Sequence, residues 1–89
     1  MIPDGWLSNW KMSKRLGMYY IPLRNWVYHS LEDTYFYPPG TRAIAGKHYI
    51  RETYKGRACY YFNPEIVTKE LVYEALEFHQ LKEKELERP

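Results

Sequence analysis

Three histidines, His29, His48 and His79, and one cysteine, Cys59, are the side chains of this 89-residue chain best suited to hold a transition metal or to pair a nucleophile with its base. Their spacing serves neither purpose. There is no CxxC and no HxxxH, so no two ligands are offered together to a tetrahedral site. Cys59 with a distant histidine would make a nucleophile pair, but it lies in a Tyr-rich run that reads as a strand, where a lone cysteine packs as a small hydrophobe. No glycine-rich loop is present to cradle a phosphate. The expectation is a protein that is not an enzyme and takes no cofactor. The chemistry that remains is cationic. The stretch HYIRETYKGRACYYFN, residues 48–63, carries Lys55-Gly56-Arg57 at its middle and Arg51 on one arm, with Arg42 and Lys47 just before it. Lys and Arg exposed in this way neutralise phosphates.

Those cations must be held out by a small fold. The length allows one domain. Aromatic residues make up 18% of the chain, with ten Tyr and three Trp, so the core must be built largely from rings that keep a polar edge near water. A single cysteine excludes an internal disulfide, and MIPDGWLSNWKMSKR has no apolar signal region. The longest early uncharged run, LGMYYIPL, is too short to span a bilayer, so no membrane association is expected. The net charge of +2 is unevenly spread. Residues 1–63 hold nine Lys or Arg against four Asp or Glu, and residues 64–89 hold four against seven. This layout suits either two ordinary solvated faces or a basic body for a polyanion beside an acidic segment for a protein.

The elements follow from local signals. Residues 1–17 read as an N-terminal arm with a short helical piece before Gly17. Trp6 and Trp10 fall four apart on one helical face, either stapling the arm to the domain or offering a binding surface. Pro22, with Leu23, Trp26 and Val27 behind it, predicts a short helix over 22–29. Ser30 with Asp33 resembles a capping box, which predicts a second helix from Ser30 that Pro38-Pro39-Gly40 must end. Thr41 is a candidate cap for one more turn, with Gly46 as its stop. Residues 48–62 predict a hairpin turning at Gly56. A two-residue Lys55-Gly56 loop would put Tyr49, Arg51 and Thr53 on one face with Ala58, Tyr60 and Phe62, but it asks Lys55 for a positive φ, so a longer loop is equally open. Asn63-Pro64-Glu65 predicts the start of a long helix, and the charged residues 79–89 read as a tail that frays or projects.

Helix, helix, hairpin, helix with a cationic hairpin tip is the order of a small α+β winged helix-turn-helix, placed over residues 18–78. Three segments, YIPLRNW (20–26), AGKHYIRE (45–52) and GRACYYFNPEIV (56–67), resemble in order and spacing the phage and integrative-element excisionases, the recombination directionality factors. The resemblance implies a factor that binds and bends attachment-site double-stranded DNA and directs a tyrosine integrase toward excision, with cooperative self-association on DNA, in the cytoplasm or on the nucleoid of a bacterial host. Some of that family also repress transcription. Carried over by position, the helix from Ser30 and the turn after it would enter the major groove through Thr34, Tyr35, Tyr37, Thr41 and Arg42. Lys55, Gly56 and Arg57 would form the wing, and Arg42, Lys47, Arg51, Lys55 and Arg57 would take the phosphates. The chain departs from the family where Pro38-Pro39-Gly40 shortens the recognition span. Either a shortened helix and a turn read the groove, or DNA shape is read, or the copy binds protein. Two alternatives to the recombination role stand beside it: a winged-helix repressor, and a small protein-binding inhibitor.

Overall fold

The computed structural model describes residues 2–31, 35–78 and 80–81. Along the chain run β1 (Leu7–Ser8), α1 (Asn9–Leu16), α2 (Tyr20–Leu31), β2 (Tyr35–Phe36), β3 (Tyr49–Tyr54), β4 (Arg57–Phe62), α3 (Lys69–Phe78) and β5 (Gln80–Leu81). One antiparallel sheet has the order β1-β4-β3, and β2 pairs separately with β5. The result is a small α+β domain of three helices and a three-stranded antiparallel sheet, compatible with a winged helix-turn-helix.

α1 forms because both of its ends are satisfied. The Ser8 hydroxyl accepts the Lys11 N–H, and Gly17, at φ 68°, turns the chain so that its own N–H and that of Met18 reach the Lys14 and Ser13 carbonyls. Lys14 and Arg15 in the last turn complement the helix dipole. Met12 is completely buried, so residues assigned to an arm by sequence are part of the domain. Trp6 precedes the helix and shares no helical face with Trp10, which is 59% exposed.

α2 is one continuous helix, which corrects the expected break at Ser30. Leu23, Trp26, Val27 and Ser30 form its buried stripe. The Ser30 hydroxyl donates to the Trp26 carbonyl and accepts the Ala43 N–H, so it belongs to the helix interior and anchors the following loop. The helix-turn-helix is therefore α1, Gly17 and α2, one element earlier than expected. Trp26 centres the core. It is fully buried, stacks on Phe62 with ring centroids 6.4 Å apart, meets His48 edge-on, and donates from Nε1 to the Thr41 carbonyl at 2.7 Å. Thr41 is also buried and caps no helix. Its hydroxyl donates to the Pro38 carbonyl, closing a turn through Gly40.

The hairpin adopts the two-residue loop. Lys55 and Gly56 both take positive φ, 50° and 77°, and Tyr54 pairs with Arg57. Two successive left-handed residues match the right-handed twist of the arms, and that match outweighs the strain on Lys55. The expected α3 start is also corrected. Asn63 accepts the Glu65 N–H on its side chain and the Ile66 and Val67 N–H groups on its carbonyl, but this turn ends by burying Val67. The helix begins at Lys69, with the Thr68 hydroxyl accepting the Leu71 N–H. Val72 and Ala75 then complete the core. The tail expected from residue 79 is held at Gln80–Leu81 by β2, and 82–89 lie outside the described residues.

His48 ties the loop after Gly46 to the core. Its Nδ1 accepts the Ile44 N–H at 2.9 Å, and its ring is buried against Trp26. Burial, with Lys47 beside it, holds its pKa below the ordinary 6.5. The unfolded chain therefore takes up the proton first. The His48 contribution is fully present above pH 6.5 and is lost as pH falls toward the folded-state pKa. We expect the thermal midpoint to drop between about pH 7.5 and 5, and the drop to be smaller in His48→Gln, which cannot charge. Equal pH profiles in the two proteins would refute this assignment.

Candidate nucleic-acid interface

With Leu23, Trp26, Val27 and Ser30 turned inward, α2 presents Tyr20, Ile21, Arg24, Asn25 and Tyr28 along its outer side. Arg24 is half-buried and lays its guanidinium over the Tyr28 ring at 5.4 Å, with its Nε buried. Asn25 lies beside it and carries the donor-acceptor pair that reads an adenine edge.

The hairpin register fixes the second half of the surface. Tyr49 pairs with Phe62, Arg51 with Tyr60 and Thr53 with Ala58, so these six share one face. Tyr49, Tyr60 and Phe62 at its base are buried against the helices, while Arg51 and Thr53 beyond them are exposed. Tyr60 meets Tyr28 edge-on at 5.7 Å and Tyr49 at 5.8 Å. Burial, with Tyr60 beside it, pushes the Tyr49 phenol pKa above its ordinary 10.0. Arg51 therefore lies on the side of the hairpin that faces α2. Lys55, Gly56 and Arg57 are exposed at the tip, with the Lys55 ammonium 5.4 Å from the Tyr54 ring.

The sequence-derived site divides. Lys55, Gly56 and Arg57 lie at the hairpin tip, Arg51 lies on the face shared with Tyr60 and Arg57 on the opposite face with Tyr54, and Lys47 is exposed on the loop leading in. Thr34 lies outside the described residues, and Tyr35 opens β2. Tyr37 is half-buried beneath the Arg42 guanidinium, 5.0 Å away. Thr41 and Arg42 have partners inside the fold. Thr41 is spent inside the fold, and Arg42 donates to the Ser30 carbonyl at the end of α2, satisfying an orphan acceptor there. Tyr20, Ile21, Arg24, Asn25 and Tyr28, on the outer side of α2, were not among the expected residues. The bracket of Ser8 and Gly17 around α1 was the available signal, because counting that helix first makes α2 the second.

His29, His48 and Cys59 are separated on α2, the loop and β4. Among the described residues no three His, Cys, Asp or Glu side chains gather as a metal site, and no helix is long and apolar enough to cross a membrane. Compared with known proteins, the chain matches no family model, no curated protein and no solved structure.

Proposed function

We propose that the protein is a non-enzymatic DNA-binding factor that lays α2 in the major groove and the β3–β4 wing against the neighbouring backbone. The observation that carries this reading is the Tyr28–Tyr60 contact, which puts the outer side of α2 and the Arg51 face of the hairpin on one side of the molecule. Arg24 and Asn25 read base edges, while Arg51, Lys55 and Arg57 neutralise phosphates. The resemblance of three segments to excisionases supports the biological role: copies on neighbouring sites bend attachment DNA and favour excision by a tyrosine integrase. Smooth bending costs about 1–6 kcal/mol per site, offset by the added phosphate contacts.

The test is footprinting on DNA flanking the gene, followed by an excision assay with the cognate integrase. Protection of attachment-site repeats and dependence of excision on the protein are expected. Protection of a promoter alone makes it a repressor, and absence of DNA binding at low salt leaves the protein-binding alternative. Within this reading, Lys55→Ala with Arg57→Ala weakens binding to all sequences alike and lowers the salt slope by about 1.8, at about 0.9 per phosphate. An unchanged slope would take the wing off the DNA.

A further inference from the structure

Between the start of α1, the start of α2 and β4 lies a groove of about 180 Å³, lined by Ser8, Asn9, Trp10, Tyr20 and the Cys59–Tyr61 stretch. Asn9 is only 5% exposed, yet neither its Oδ1 nor its Nδ2 has a hydrogen-bond partner. A buried amide left in this state is costly, and turning it from its buried position toward a polar ligand in the groove would relieve it. Asn9 is also the first residue of α1, an eight-residue helix with no acidic side chain in its first turn. The positive end of the helix dipole thus opens at the groove.

The surroundings are aromatic and mostly cationic. No acidic residue lines the groove, and the nearest cross-strand carboxylate is Glu52, paired opposite Cys59. Lys14 lies 5.0 Å from the Trp10 ring, Arg24 is one turn beyond Tyr20, Arg51 is paired opposite Tyr60, and Arg57 lies farther along β4. Trp10 and Tyr20, 59% and 38% exposed, form two tilted walls with centroids 6.4 Å apart.

We infer that this groove seats one deoxyribose-phosphate unit of DNA. The phosphate sits on the N-terminus of α1 with the Asn9 amide turned toward it, and the sugar packs on Trp10 and Tyr20. The inference rests on the docking proposed above. A helix in the major groove and a wing against the neighbouring backbone bring a DNA strand past both elements, and the groove opens between the start of α2 at Tyr20 and β4 at Cys59–Tyr61.

Ser8→Asp separates charge from folding. Aspartate caps a helix as well as serine and favours its dipole, so the thermal midpoint should hold or rise. The same carboxylate repels a phosphate at the seat. DNA affinity should fall about tenfold or more, and the salt slope by about 0.9. Ser8→Asn, an uncharged cap, should lose far less affinity than Ser8→Asp and keep the parent slope, and Trp10→Ala should weaken binding without changing the slope. Parent-like binding by Ser8→Asp, alongside weakened binding by Arg24→Ala with Asn25→Ala, overturns the seat and leaves the α2 docking intact. An equal loss in Ser8→Asn also overturns it, because cap geometry would then be the cause. If the α2 and Ser8 variants all bind like the parent, the docking fails and the seat with it.

Discussion

Trp26→Ala should leave the chain largely unfolded at room temperature, with no cooperative thermal transition by circular dichroism. Truncating a fully buried Trp costs about 3–5 kcal/mol. Here the loss also strands the Thr41 carbonyl, which accepts the Nε1 proton at 2.7 Å, for about 1–3 kcal/mol more. A domain this small sits near the low end of the usual 5–15 kcal/mol, so the combined loss consumes most of its stability. The mechanism is separable. Trp26→Phe keeps a ring against Phe62 and His48 but removes the donor, so it should remain folded with a clearly lowered midpoint. Trp10→Ala, at a residue 59% exposed, should change stability by less than about 1 kcal/mol. Parent-like melting of Trp26→Ala would mean that the core is not centred on α2.

The hairpin was legible because its signals are local: Tyr- and Ile-rich arms and a glycine at the tip; which residues share a face across the arms depended on the loop length. Loop length was not legible, because a lysine at φ 50° is disfavoured locally and is accepted only when the twist of two paired arms demands it. The same competition explains α3. Asn63 does accept the Glu65 N–H, so the cap chemistry was read correctly. What decided the helix start was the burial of Val67, a tertiary requirement absent from the cap itself.

The site was half legible for a related reason. The cations at the hairpin tip are exposed, and a tip position is legible from the turn itself. Thr41 and Arg42 look equally suited to bases and phosphates. Their partners, the Trp26 indole and the Ser30 carbonyl, lie 15 and 12 residues away, and nothing in the linear pattern announces them. Ser30 misled most. Its hydroxyl could cap a new helix or bond back into an existing one, and choosing the former shifted the helix-turn-helix and hid Arg24, Asn25 and Tyr28.

That shift yields the prediction that separates the two placements of the reading surface. Arg24→Ala with Asn25→Ala should lower affinity for the preferred DNA site by about two orders of magnitude or more, since each bidentate base contact contributes about 1–3 kcal/mol of discrimination. Non-specific affinity should fall far less, through the loss of one charge, so the ratio of specific to non-specific binding collapses. Both side chains are half-buried and Arg24 packs on Tyr28, so the thermal midpoint should fall modestly, by far less than in Trp26→Ala. Arg42→Ala should behave in the opposite way. It frees the Ser30 carbonyl and uncovers Tyr37, lowering stability by about 1–2 kcal/mol while preserving the order of preference among sites. Competition gel shifts over a set of single-base operator variants, run beside thermal melts, read both quantities. If Arg42→Ala changes which bases are preferred and the α2 pair does not, the groove is read by the turn after α2 and the assignment made here is wrong.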